Sequence, residues 1–146
     1  LDDIRKTHYF AMLEGLNKGV TLGTALINMY SKYGNIKEAR SVFDEIPKCD
    51  ILCWTAIISS YIQHRQEREA LLLFNLMKKG GILPDKVAIV NILSACSSLM
   101  AFSECEEMLA CIQQCQLELD EVVGSAVVSI YGRFGKLKLC KGFINL

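Results

Sequence analysis

Charge of one sign is the first thing this sequence lacks. Sixteen lysines and arginines face sixteen aspartates and glutamates, so the formal net charge is zero. Bulk attraction to a polyanion is therefore absent, and recognition of nucleic acid would need a local basic strip or contacts to base edges. Histidine is almost missing, with only His8 and His64. Zinc takes four ligands, commonly from paired Cys and His spacings. Neither histidine lies near Cys49 and Cys53, or near Cys111 and Cys115, the two cysteine pairs four residues apart. No metal and no cofactor are expected, and nothing marks an activated thiol or a Cys–His nucleophile, so the chain reads as non-enzymatic. No apolar run approaches the roughly 18 residues of a membrane-crossing helix. Ala70-Leu-Leu-Leu-Phe74 is typical, and no membrane partner is expected.

Cysteine, by contrast, is abundant and odd in number: Cys49, Cys53, Cys96, Cys105, Cys111, Cys115 and Cys140. Most sit inside apolar helical stretches, where a free thiol packs as a small hydrophobe. Neither spacing nor parity suggests a disulfide framework, which points to a reducing compartment. Half the 146 residues are apolar and 22% are charged, a balance that favours a folded chain over a disordered one.

The chain also repeats itself. Thr24-Ala-Leu-Ile-Asn-Met-Tyr30, Thr55-Ala-Ile-Ile-Ser-Ser-Tyr61 and Ser125-Ala-Val-Val-Ser-Ile-Tyr131 are three copies of one pattern, and Val90-Asn-Ile-Leu-Ser-Ala-Cys96 is a looser fourth. Tyr30, Tyr61, Cys96 and Tyr131 step by 31, 35 and 35 residues, as do Ala39, Ala70, Cys105 and Cys140. Asp50, Asp85 and Asp120 close three copies at intervals of 35. A fixed period in this range predicts a solenoid whose units bury their apolar faces against their neighbours.

Each copy reads as two helices. Ala25, Leu26, Met29, Tyr30 and Tyr33 mark one face of the first helix at helical spacing. Gly34-Asn35 predicts a left-handed stop followed by a cap. Ile36, Ala39, Val42 and Phe43 form the stripe of the second helix, which Pro47 ends. The next copy predicts a helix over Thr55–Ile62, a turn at His64-Arg-Gln66, and a second helix carrying Ala70, Leu73, Phe74 and Met77. Glycines then make a turn, and Asp85 stands where it can cap the following helix. Helices are expected near Val87–Ser97 and Phe102–Gln114, and Asp2–Leu13 reads as a lone second helix. The register thus expects the sequence to start and stop inside a motif, with any targeting peptide further upstream. Apolar faces left without neighbours predict marginal stability or self-association.

Periods of 31 and 35, paired helices and closing aspartates together resemble the pentatricopeptide repeat family, in its plant PLS subclass of alternating repeat lengths. Residues 20–50 resemble a short S-type repeat, with Glu38-Ala-Arg-Ser-Val-Phe-Asp-Glu-Ile-Pro47 in its second helix. Residues 51–85 resemble a P-type repeat, with Trp54-Thr-Ala-Ile-Ile-Ser-Ser-Tyr61, and residues 86–120 an L-type repeat. Residues 1–19 are similar to the end of another L-type repeat, and residues 121–146 to a truncated S-type repeat. The tetratricopeptide repeat fits less well: its Trp-x-x-Leu-Gly-x-x-Tyr start is absent, and a 31-residue unit does not suit its 34-residue period. The resemblance implies an all-α, right-handed α-solenoid of helix-turn-helix units.

It also implies single-stranded organellar RNA as partner, read at about one base per repeat by two or three side chains. The implied readers are the fifth and last residues of each repeat: Thr24 with Asp50, Thr55 with Asp85, Val90 with Asp120, and Ser125, whose closing partner lies beyond the sequence. The second residue wedges between bases: Thr21, Leu52, Val87 and Val122. The family code pairs Thr and Asp with guanine, and the chemistry agrees. Guanine offers N1–H and an amine to an acceptor-only carboxylate, whereas adenine N1 would face the carboxylate's lone pairs. Val90 cannot hydrogen-bond, so the expected site is 5′-G-G-N-purine-3′. With two complete reading pairs the segment alone should bind weakly. The aspartates also make sensible helix caps, the threonines ordinary helix-start residues, and Lys32, Arg65 and Arg133 either phosphate contacts or solvated charge. The subclass implies a specificity factor for cytidine-to-uridine editing in mitochondrion or chloroplast, the deaminase signature of His-x-Glu and Cys-x-x-Cys being absent from these residues. The alternative is a protein-interaction scaffold that grips an editing cofactor or another repeat protein without reading bases.

Overall fold

The chain's structure, a computed structural model, describes residues 2–15, 19–99, 102–114 and 121–134. These form eight helices: α1 (Asp2–Leu13), α2 (Val20–Lys32), α3 (Ile36–Glu45), α4 (Ile51–Gln63), α5 (Glu67–Lys79), α6 (Lys86–Ser98), α7 (Phe102–Gln114) and α8 (Glu121–Phe134). Among the described residues three copies supply a helix pair each, α2 with α3, α4 with α5 and α6 with α7, and the fourth supplies α8. The fold is an all-α helical repeat, and α1 precedes the first pair.

Two layers result. The first helices stack in chain order, α2 on α4, α4 on α6 and α6 on α8. The second helices lie outside them: α3 packs on α2 and α4, α5 on α4 and α6, and α7 on α6 and α8. Among the described residues the backbones of α3 and α5 do not approach closely, nor do those of α5 and α7. The first helices therefore form the close-packed inner layer and the second helices the more widely spaced outer one.

The anchors that reveal the period are the residues that hold the layers together. Tyr30, Tyr61 and Cys96 are buried on the first helices, and Ala39, Ala70 and Cys105 are wholly covered on the second. A small side chain at the latter position lets the two helices of a unit approach closely. Tyr30 also gains a partner in α1, its hydroxyl lying 3.0 Å from His8 Nδ1. Between repeats, the Trp54 ring meets Phe43 edge-on with centroids 4.9 Å apart.

Chain breaks follow local chemistry. Gly34 takes φ +79°, and Asn35 then caps α3 by accepting from the Glu38 N–H at 3.2 Å. One repeat later, 31 residues on, Arg65 occupies the same left-handed turn at φ +61°, a conformation that favours glycine. Gly81, at φ +80°, turns the chain after α5.

Three sequence expectations need correction. The helix expected over Thr55–Ile62 starts at Ile51, four residues before Thr55, because Asp50 caps it there. The helix expected near Val87–Ser97 likewise extends by one residue at each end, to Lys86–Ser98. Third, Ala25, Met29 and Tyr33 are exposed, and the buried face of α2 is formed by Leu26, Ile27 and Tyr30. Tyr33 falls on the C-cap, past the last helical turn. Ala25 and Met29 line an open apolar furrow between α1 and α2. Their register equivalents Ala56 and Ser60 are half-buried and buried, because α4 has α2 as a neighbour on that side.

Candidate nucleic-acid interface

The inner layer arrays the candidate residues by register. Thr21, Leu52, Val87 and Val122 are each the second residue of α2, α4, α6 and α8, and all four are exposed. Leu52 and Val122 are 64% exposed and Val87 56%. One such apolar side chain on each of α4, α6 and α8, in the same register, makes a row of apolar surfaces against which bases could stack. Between Val87 and Val122 lies a cleft of about 320 Å³, lined also by Val90, Asn91 and Val123.

One helical turn further, at the fifth position, are Thr24, Thr55, Val90 and Ser125. The copy holding α4 and α5 brings its candidate pair together: the Thr55 hydroxyl reaches both carboxylate oxygens of Asp85, at 3.4 and 3.5 Å. These are long contacts that a small side-chain adjustment would shorten. Asp85 also accepts from the Ala88 N–H at 2.8 Å, so one carboxylate serves as N-cap of α6 and neighbour of Thr55. Thr55 is only 9% exposed, which leaves the half-buried Asp85 as the more accessible of the two. A cap uses one lone pair of a carboxylate, and the others stay open to a donor from a base.

The copy holding α2 and α3 is built differently. Asp50 caps α4 through the Cys53 N–H at 2.9 Å, as Asp85 caps α6. Thr24, however, turns its hydroxyl back to the Val20 carbonyl at 2.8 Å and lies against the Cys53 sulphur. The structure thus pairs Thr55 with Asp85 directly, while the Cys53 side chain stands beside Thr24. In the copy holding α6 and α7, Val90 is half-buried at the seam with α8; Asp120, the expected partner, lies outside the described residues. Ser125 is exposed on α8.

Of the basic residues, Lys32 and Arg133 occupy the same register, the thirteenth residue of α2 and of α8. Arg133 donates to Ser97 Oγ on α6 at 2.7 Å and is exposed. Arg65 is exposed in the turn after α4 and is not part of that register.

Two features escaped the sequence reading. Asn91 donates from Nδ2 to Ser59 Oγ at 2.6 Å, tying α6 to α4 beside the reading row. The available signal was its place: the sixth residue of the first helix, where the other copies have Ala25, Ala56 and Ala126. The second is Cys53 itself, at a third position otherwise held by Leu22, Ala88 and Val123. Apart from the half-exposed Cys49, the remaining described cysteines are buried. Cys96 and Cys105 are completely covered, with their thiols hydrogen-bonded to each other; that bond and burial push Cys96 far up, while the same bond holds Cys105 down. Cys115 and Cys140 lie outside the described residues. Among the described residues, no group of His, Cys, Asp and Glu is arranged to hold a metal, and no helix is long and apolar enough to cross a membrane.

Known proteins share this pattern. A profile described as "PPR repeat family" matches residues 49–98, and one described as "PPR repeat" matches residues 24–51. A chloroplastic pentatricopeptide repeat-containing protein of Arabidopsis thaliana is 36% identical over 143 residues, covering 97% of this chain and 16% of that protein. A mitochondrial one from the same plant is 33% identical over 116 residues, covering 80% of this chain and 18% of its own length. The chain therefore spans less than a fifth of the length of these two relatives. Among solved structures, the maize pentatricopeptide repeat protein PPR10 superposes with a TM-score of 0.72 at 24% identity, over 97% of this chain and 21% of PPR10. PPR10 in complex with an 18-nucleotide psaJ RNA element superposes at 0.69 and 23% identity, over 95% of this chain and 21% of that one. With helix pairs, register anchors and profile matches running through the same residues, the chain belongs to the pentatricopeptide repeat family.

Proposed function

We propose that this chain is a non-catalytic segment that binds single-stranded RNA base by base along its inner helix layer, as part of a longer organellar protein. The observation that carries this reading is the P-type repeat, where exposed Leu52 and Val87 bracket the Thr55–Asp85 pair. Apolar wedges supply stacking, worth about 1–3 kcal/mol per base, and the carboxylate supplies a choice of base, worth about 1–3 kcal/mol. The net charge of zero removes a general attraction to RNA, so base contacts must carry more of the affinity. By the family code, the four copies in order would read 5′-G-G-N-purine-3′. Relatives named chloroplastic and mitochondrial support an organelle as the site of action. Within that setting the segment would act as address reader for cytidine-to-uridine editing, with the chemistry supplied elsewhere.

Fluorescence anisotropy with labelled RNAs carrying GG, AA or UU at the two coded positions tests the reading. GG is expected to bind best, and equal binding to all three by the folded chain would contradict it. One observation favours the scaffold as second reading. Leu72 and Leu76, 57% and 52% exposed, lie one turn apart on the outer face of α5, in a furrow shared with Arg40 and Lys79. The equivalents of Leu72 in α3 and α7 are Ser41 and Glu107. A scaffold would hold a partner protein there and show no base preference.

A further inference from the structure

The S-type reading corner contains a second chemistry. Cys49 and Cys53 flank Asp50, one just before the cap and one in the first turn of α4, and their sulphurs lie 2.8 Å apart. Both are free thiols. Cys49 is half-exposed, whereas Cys53 is fully covered and touches Thr24 through its sulphur and Asp50 through its backbone N–H. The two side chains that would read a base in this repeat therefore both lean on Cys53. In the P-type repeat the corresponding residue is Ala88, and there Thr55 reaches Asp85 directly.

We propose that Cys49 and Cys53 are a disulfide-modification site, closed by exchange with a small-molecule disulfide, and that closure sharpens base reading by the Thr24–Asp50 pair. The functional half rests on the RNA-reading proposal above; the modification itself does not.

The chemistry balances. Cys49, the accessible partner, loses its proton and attacks one sulphur of the oxidant, forming a mixed disulfide and expelling one thiol. Cys53 then loses its proton and attacks Cys49 Sγ, expelling the second thiol. Two S–H bonds are lost, one S–S bond forms, and the oxidant leaves as two thiols with the two electrons and two protons. The sulphurs need to close by less than 1 Å to reach a bond length of about 2.05 Å. Burial raises both thiols, and the nearby carboxylates of Asp50 and Asp44 add to the rise at Cys49. Exchange is therefore slow at neutral pH and quickens toward alkaline pH. The buried Cys96–Cys105 pair has the contact but not the access.

Closure draws Cys53 Sγ toward Cys49 and off Thr24, and it pins the backbone on both sides of Asp50. A carboxylate fixed in advance loses less freedom when a base docks, so guanine preference at this position is expected to rise about three- to tenfold.

The test uses the whole chain, reduced or treated with glutathione disulfide at pH 8, with circular dichroism confirming the fold. Peptide mass mapping should find a 49–53 disulfide, and anisotropy should compare 5′-UUGGUAUU-3′ with 5′-UUAGUAUU-3′. A larger G-over-A ratio in the oxidised chain, lost in Cys49→Ser, supports the proposal. Absence of the 49–53 bond overturns the modification. A bond that forms while the G-over-A ratio stays constant overturns the coupling. If the bond forms and neither redox state prefers guanine, the RNA-reading proposal fails and takes the coupling with it, while the modification stands.

Discussion

Phe74→Ala is expected to lower the unfolding free energy by about 3–5 kcal/mol, the usual cost of deleting a buried aromatic ring. Phe74 is 1% exposed on α5, beside fully covered Met77 and Leu73, with the Lys78 ammonium 5.2 Å from its ring centre. α5 is the second-layer helix that bridges α4 and α6, so a cavity there weakens the link between the P-type and L-type repeats. In a solenoid stability is a sum of unit terms and nearest-neighbour terms, with no central core to share the loss. Since whole domains are stable by only about 5–15 kcal/mol, the variant is expected to unfold at much lower urea concentration. The transition should also broaden as the two halves uncouple. Urea titration followed by circular dichroism checks this. A loss below about 1 kcal/mol would mean that α5 does not bridge the row.

Asp85→Ala is expected to produce two separable losses. Removing the α6 cap costs about 1 kcal/mol of stability, because the Ala88 N–H loses its 2.8 Å acceptor. Removing the carboxylate also abolishes guanine preference at the P-type position, a discrimination of about 1–3 kcal/mol. Asp85→Ser separates the two. Serine caps helices nearly as well as aspartate, so stability is retained while the ionised acceptor beside Thr55 is gone. The expected pattern is a stable Ser variant without guanine preference and a weakened Ala variant equally without it. If the Ser variant still prefers guanine, Asp85 is a cap alone.

Much of this architecture was legible from the sequence because a solenoid writes its packing as a period. The residues that recur at 31 and 35, such as Tyr30, Tyr61, Ala39 and Ala70, are the ones the structure buries. Caps were legible for the same local reason, since Asn35, Asp50 and Asp85 each accept from an N–H three residues on. Ala25 and Met29 were misread because periodicity identifies a helix face without saying whether a neighbour covers it. Arg65 was hidden by an opposite effect: its positive φ is imposed by the repeat geometry on a residue type that does not announce it. At the reading row, sequence placed Thr24 and Thr55 in the same role. Their difference comes from Cys53 against Ala88, a neighbour in the next repeat that no single-repeat pattern contains.

The central claim is that Thr55 and Asp85 together choose a base, and Thr55→Asn tests it most directly. By the family code an Asn–Asp pair takes uracil in place of guanine. Anisotropy titrations of the parent and variant chains, against RNAs with G or U at the P-type position only, should show preference crossing from G to U. The S-type position should be unaffected. Parallel changes at both bases, or no base preference in either folded chain, would contradict base reading by this pair and leave the helix row as a protein-binding surface.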